Sequence, residues 1–178
     1  MKPEHIQERI QAIQQEIGVL PRTVRALLLT DGSVTTLLEA ITDDTVQVRT
    51  LLQEVIPADG PVAAELGIEP GDPLNHRVVE LYARRSGAIL IYAVSDTPVN
   101  RLDPRFREDL MKADIPIGKI LRSHRLETRR EIVEVRLHSK DRRLAGIFGI
   151  SPDEPVISRR YHIIHRELPL IAIEEMYP

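Results

Sequence analysis

Gly67-Ile68-Glu69-Pro70-Gly71-Asp72-Pro73-Leu74 recurs 82 residues later as Gly149-Ile150-Ser151-Pro152-Asp153-Glu154-Pro155-Val156. In each copy a glycine closes a short amphipathic segment, a proline-containing turn follows, and a β-branched run begins, which is how a helix end leads into a strand. At the same offset Arg77 falls on Arg159, and Ile89 and Ile91 fall on Ile171 and Ile173. Each copy therefore reads as a helix end, a turn and a two-strand hairpin. Two such hairpins predict one sheet with an internal pseudo-twofold repeat.

Outward from the repeat, a period of two begins at Thr45, with β-branched residues bounded by Gly, Pro and Asp. It predicts strands near 45–55, 74–83, 88–96, 127–137, 155–164 and 169–177. Short helices are expected near 61–67, 104–112, 117–123 and 140–147. Before the sheet, Ile6, Ile10, Ile13 and Ile17 recur at helical spacing, with Pro3 suited to a first turn and Gly18 to a C-terminal cap. A second helix is read over Pro21 to Leu29; Asp31-Gly32-Ser33 breaks it, and Ser33 can cap a third that carries Leu37, Leu38 and Ile41. The expected class is α+β: a six-stranded antiparallel sheet with N-terminal helices and short helices between the strands. Only the N-terminal helices lie outside the repeat, and no linker is visible, so a single domain over residues 1–178 is expected.

The 178 residues are 42% hydrophobic and 29% charged, enough for one compact core. The chain has no cysteine, which removes disulfides, thiolate nucleophiles and Cys-ligated metals from consideration and suits a reducing, cytoplasmic setting. The N-terminal MKPEHIQERIQ is charged and amphipathic, and no run approaches the roughly 18 apolar residues of a membrane span. A net charge of -3 argues against a nucleic-acid surface. The doublets Arg84-Arg85, Arg129-Arg130, Arg142-Arg143 and Arg159-Arg160 are dispersed among acids and read mainly as solvated faces or surface ion pairs.

Two places can carry chemistry. On the strand 74–83, Arg77 shares a face with Val79 and Leu81. An ionised guanidinium under a sheet is costly unless paired, and its planar fork suits a carboxylate from the protein or from a ligand. The last strand, Leu170-Ile171-Ala172-Ile173-Glu174-Glu175-Met176-Tyr177, is apolar on both faces, so at least one of its carboxylates faces inward. Periodicity supports Glu174 and Glu175 equally. An inward glutamate in dry surroundings is expected to hold a proton near neutrality, as a general acid must; a buried structural Glu–Arg pair would look the same. His162-x-x-His165 within a strand sends its side chains to opposite faces, so no metal is expected. No phosphate loop, G-x-S-x-G elbow or H-E-x-x-H is present.

From about residue 24 to the C-terminus the chain resembles the chorismate lyase family, in its more divergent branch. The resemblance rests on Leu27-Leu28-Leu29-Thr30-Asp31-Gly32-Ser33-Val34-Thr35, Arg77-Val78-Val79-Glu80-Leu81, Pro116-Ile117-Gly118-Lys119-Ile120-Leu121, Glu127-Thr128, and Pro169 through Glu174-Glu175-Met176-Tyr177, in that order and spacing. It implies a lyase that converts chorismate to 4-hydroxybenzoate and pyruvate in an enclosed pocket, without metal or organic cofactor, as a monomer or homodimer. By motif position it implies that Arg77 binds a ligand carboxylate and that Glu174 lies across the same pocket. It further implies that Ser33 and Val34, with Ile117 and Gly118, cover the site as lids and offer backbone groups. Val34 stands where the best-known lyases carry methionine, and Ile117 where they carry leucine, which bears on pocket volume. The fold also resembles the effector-binding domains of a bacterial repressor family, through Leu66-Gly67-Ile68-x-x-Gly71-x-Pro73. That likeness keeps a non-catalytic, carboxylate-binding domain open as the alternative.

Overall fold

The computed structural model describes residues 3–112 and 115–178, apart from the side chains of residues 3 and 4. Three helices come first: α1 (Pro3–Ile17), α2 (Arg22–Leu29) and α3 (Val34–Thr42). Strand β1 (Val46–Pro57) follows, then α4 (Gly60–Leu66), β2 (Pro73–Ala83) and β3 (Ile89–Pro98). A 3-10 turn at Val99–Arg101 leads to α5 (Pro104–Met111) and α6 (Ile117–Ser123). The chain ends with β4 (Arg129–His138), α7 (Arg142–Phe148), β5 (Val156–His165) and β6 (Leu168–Tyr177). The strands form one antiparallel sheet in the order β1-β2-β3-β6-β5-β4. The expected α+β class and six strands are what the structure contains.

The repeat reaches further than its sequence signal. Helices α4 and α7 span Gly60–Leu66 and Arg142–Phe148, 82 residues apart. Both are capped at the N-terminus by an aspartate, Asp59 or Asp141, whose side chain accepts from the first-turn amides. Both end on a left-handed glycine, Gly67 at φ 61° and Gly149 at φ 65°, a conformation that a Cβ would penalise. Even the bulges recur: between Thr50 and Leu52 on β1, and between Ile132 and Glu134 on β4. A bulge inserts one residue and reverses which face the following side chains take. That reversal sets both Thr50 and Gln53 of β1 beside Arg77's face of the sheet.

In one respect the repeat expected from the sequence is corrected. Leu81 and Ile163, equivalent at the offset of 82, pair with Ile91 and Ile171, which are 80 apart. Ile91 thus corresponds to Ile171 and not to Ile173. The cause is the second hairpin's turn, which holds only Arg166 and Glu167 between the paired His165 and Leu168. Both turn residues have positive φ, 49° and 62°, as a two-residue mirror-image turn requires. The central strands meet with Val94 opposite Glu174, so the pseudo-twofold line passes between them.

Helices cover both faces. One face packs against α1, α2 and α3 through Ile6, Ile10, Ile13, Leu27, Leu28 and Leu38, and against α5 and α6 through Phe106, Leu110, Ile120 and Leu121. Ser33 caps α3 as its position suggests, accepting from the Thr36 amide at 3.3 Å. The opposite face carries α4 and α7, each packed on the central strand of the other half: α4 on β6 through Ala172, and α7 on β3 through Tyr92. No helix among the described residues is long and apolar enough to cross a membrane.

Candidate functional site

Between the two helical groups on the first face lies a cavity of about 70 Å³. Its floor is the sheet: Val48 of β1, Arg77, Val79 and Leu81 of β2, Ala93 and Ser95 of β3, Ile173 and Glu175 of β6, Tyr161 and Ile163 of β5, and Arg130 of β4. Its roof is Ser33, Val34 and Thr35 from the start of α3, with Pro116, Ile117 and Gly118 at the start of α6. The residues read as lids, Ser33, Val34, Ile117 and Gly118, therefore do meet over Arg77. The volume is far below the roughly 300–1,000 Å³ of pockets that hold a drug-sized ligand, so the roof sits low over the floor.

Arg77 is 1% exposed, on the face shared with Val79 and Leu81 that its strand pattern predicts. Its Nη1 and Nη2 donate to the Ile115 carbonyl, both at 3.1 Å, and Nη2 donates to Thr50 Oγ1 at 3.2 Å. The roof segment before α6 is thereby tied to the floor. The other roof segment is tied in the same manner: Arg159 Nη1 donates to the Thr30 carbonyl at 2.7 Å and Arg130 Nη1 to the Asp31 carbonyl at 3.1 Å.

The expectation that Glu174 faces Arg77 is corrected. Arg77 pairs with Ser95, Ser95 with Ile173, and Ile173 with Tyr161, so one row crosses the sheet on the cavity face. Two residues along β6 from Ile173 stands Glu175, and it is Glu175 that lines the cavity. Glu174 points to the opposite face, where Ser158 Oγ donates to it at 2.8 Å and Arg160 Nη1 lies 3.5 Å away. Alternation could not distinguish the two because β6 is covered on both faces.

Glu175 is buried and receives three donors: Arg159 Nε at 2.9 Å, Tyr161 Oη at 2.9 Å and Tyr177 Oη at 2.5 Å. A carboxylate offers about four acceptor positions, of which these donors use three. Glu175 thus accepts within a buried ion pair with Arg159, itself 0% exposed and stacked 4.8 Å over the Tyr161 ring. Burial, and then the negative charge of Glu175, push the Tyr161 and Tyr177 hydroxyls well above the ordinary tyrosine range. Both stay protonated and keep donating.

The arginine doublets also need correction. Arg129 is exposed and paired with Glu167, as read, but Arg130 lines the cavity, and Arg159 is at the centre of the core. Arg160 binds Glu65 of α4 at 2.6 Å. The histidines acquire partners that spacing does not reveal: His76 with Asp96 at 2.7 Å, His124 with Asp109 at 2.8 Å, and His138 with Ser158 at 2.9 Å. His162 takes Glu65 and His165 the Glu127 carbonyl, so the pair does not converge.

Tyr161, Arg130 and Ser95 are site residues that sequence reasoning missed. The repeat held a usable signal for Tyr161, since it follows Arg159 by the interval at which Val79 follows Arg77.

Known proteins resemble the chain over nearly its whole length. Residues 28–178 match the family model described as "Chorismate pyruvate-lyase Rv2949c-like". The curated protein "Putative lyase MJ0807" of Methanocaldococcus jannaschii is 31% identical, over 93% of this chain and 86% of its own. The "Chorismate pyruvate-lyase" of Mycobacterium leprae is 25% identical, over 92% of this chain and 78% of its own. Among solved structures, the effector domain of PhnF from Mycobacterium smegmatis superposes with a TM-score of 0.67 at 18% identity, over 82% of this chain and 88% of that one. At that identity the likeness is one of fold, and it bears out the expected resemblance of this fold to that of effector-binding domains.

Proposed function

The chain belongs to the Rv2949c-like chorismate pyruvate-lyase family, and from that premise we propose that it converts chorismate to 4-hydroxybenzoate and pyruvate in the cavity between the lids. The observation that carries the reading is one mostly apolar cavity, roofed by the lid segments, with a buried arginine, Arg77, on β2 and a buried carboxylate, Glu175, on β6. Arg77 takes the ring carboxylate, in place of the Ile115 carbonyl that now occupies its Nη1 and Nη2. The last acceptor position of Glu175 takes the hydrogen bond of the ring hydroxyl, from the place across the pocket that the family resemblance implies for Glu174.

The chemistry needs little beyond positioning. The C4–H bond pair completes the aromatic ring, the C3–O bond breaks toward oxygen, and the departing enolpyruvate gains a proton at its methylene carbon to become pyruvate. Atoms balance without water, oxidant or reductant. Holding the substrate in reactive geometry in a closed, dry site is the kind of effect that is worth several kcal/mol of barrier, on the order of 7–11 at best. Admission of so large a ligand requires the lids to lift, which breaks the carbonyl contacts of Arg77, Arg130 and Arg159 described above.

The test is incubation of the purified protein with chorismate and chromatographic measurement of 4-hydroxybenzoate and pyruvate. Equal amounts of both products are expected, with Arg77→Ala weakening 4-hydroxybenzoate binding about 10–100-fold, the value of charge-assisted contacts. Tight binding of aromatic carboxylates without turnover would replace the lyase reading with that of a binding domain, the alternative that the effector-domain fold favours.

A further inference from the structure

Arg130 lines the same cavity as Arg77, but from the opposite edge of the sheet: β3, β6 and β5 lie between their strands. It reaches the cavity because the β4 bulge follows it. Before the bulge, Arg130 and Ile132 share the cavity face with their partners Ile163 and Tyr161; after it, Val135 and Leu137 do. The guanidinium is bound on one side only. Nη1 donates to the Asp31 carbonyl at 3.1 Å, whereas Nε is buried and meets no hydrogen-bond partner. Nη2 lies beside Gly118, 4.0 Å from where a Cβ on that glycine would stand. Among the described residues no carboxylate lies within ion-pair distance of Arg130. Glu175, the carboxylate on the cavity floor, is already engaged by Arg159, Tyr161 and Tyr177.

A buried N–H of a cation with no acceptor is costly, and a ligand oxygen that reaches it on the cavity side removes that cost. An arginine presents five donors in a planar fork, of which the Asp31 carbonyl occupies part. What fits the remainder is a carboxylate.

We infer that Arg130 is the specificity residue for a second carboxylate, so that the cavity selects dicarboxylates whose acid groups lie at its two ends. Resting on the lyase reading for its identity, that second group is the carboxylate of the three-carbon enolpyruvyl arm, while Arg77 holds the ring carboxylate. The aromatic product has only the ring carboxylate. Arg130 therefore separates substrate from product: once the arm leaves, Arg130 holds nothing of the hydroxybenzoate, and the second product takes that contact with it.

Two aromatic probes that cannot react further isolate this contact: 3-(1-carboxyethenyloxy)benzoate, with both carboxylates, and 3-(prop-1-en-2-yloxy)benzoate, which lacks only that of the arm. Calorimetric titration of wild type, Arg130→Gln and Arg130→Lys measures each affinity. Arg130→Gln is expected to lose about 10–100-fold for the dicarboxylate, the worth of a charge-assisted contact, and to stay within twofold for the monocarboxylate, which also shows that the site is folded. Arg130→Lys should recover part of the loss. Equal losses for both probes, or no loss for the dicarboxylate, would overturn the inference. Should wild type bind the dicarboxylate in an Arg130-dependent manner and leave chorismate intact, the lyase reading fails and the dicarboxylate site stands. If chorismate is turned over while Arg130→Gln leaves dicarboxylate affinity unchanged, the reverse holds.

Discussion

Arg77 and Arg159 are equivalent in the two halves, and both are removed from water, at 1% and 0% exposure. Directly across the hairpin, Arg77 faces Ser95 and Arg159 faces Glu175. The second half has turned its arginine into a component of the core: a buried ion pair roofed by two tyrosine hydroxyls. In the first half the arginine lines the cavity, and its terminal nitrogens donate to a lid carbonyl and a threonine hydroxyl. One scaffold thus carries the same buried cation twice, once as structure and once as a candidate anchor for a ligand. The difference lies in the residue across the ladder, together with a turn two residues shorter that decides which residue stands there.

The largest effect should come from undoing the structural copy. Glu175→Gln leaves Arg159 buried without its counter-charge, and urea denaturation should show a loss of about 3–5 kcal/mol; a change below 1 kcal/mol would mean that the two arginines are not so different. Next in size is the attempt to make the first half resemble the second. Ser95→Glu places a carboxylate across from Arg77, and 4-hydroxybenzoate affinity should fall at least about tenfold through competition for the guanidinium, with folding retained. Unchanged affinity in a folded variant would remove Arg77 from the ligand's path.

A smaller effect tests the turn. Arg166 and Glu167 hold left-handed φ values that cost roughly 1–2 kcal/mol for residues with a Cβ, so replacing the pair by Asn-Gly should stabilise the protein. The gain expected is about 1 kcal/mol in denaturant midpoint analysis, after the exposed contact of Glu167 with Arg129 is lost.

The smallest lies on the far face, where α4 supplies Glu65 and α7 has Ile147 at the equivalent place. Burial alone would push the Glu65 carboxyl up, but hydrogen bonds from Arg160 and His162 hold it below its usual 4.5. With the folded value depressed, the unfolded chain binds more protons in that interval, so the contribution is complete above about 4.5 and fades as pH falls through the folded value. Glu65→Gln should flatten the acid limb of the stability profile below pH 4.5 and leave its shape near neutrality alone.

Much of this architecture is legible in the residues. The periods of two and 3.6, the capping aspartates and glycines, and the repeat at 82 place every strand and helix within a few positions. The repeat also marks Arg77 and Arg159 as equivalent. What stayed hidden had physical causes. Leu170 to Tyr177 is apolar on both faces, so alternation carries no sign by which Glu175 can be told from Glu174. Register depends on turn length, which a repeat in the turn-proximal strand does not report. The lid contacts of Arg77, Arg130 and Arg159 use backbone carbonyls, which every residue possesses and no side-chain pattern announces.

The exchange of helices between halves bears on how the chain reaches this state. Leu66 of α4 is buried in the same cluster as Ala172 of β6, and Leu144 of α7 packs with Tyr92 of β3 and Met176 of β6, so each far-face core takes in residues of both halves. Closing either cluster means bringing together segments about a hundred or fifty residues apart, and loop-closure entropy must be met before those contacts return anything. Both far-face cores are therefore expected to complete only once β6 and α7 are in place, on the order of milliseconds or slower, and a nascent chain stopped after β3 would leave part of that surface unfilled.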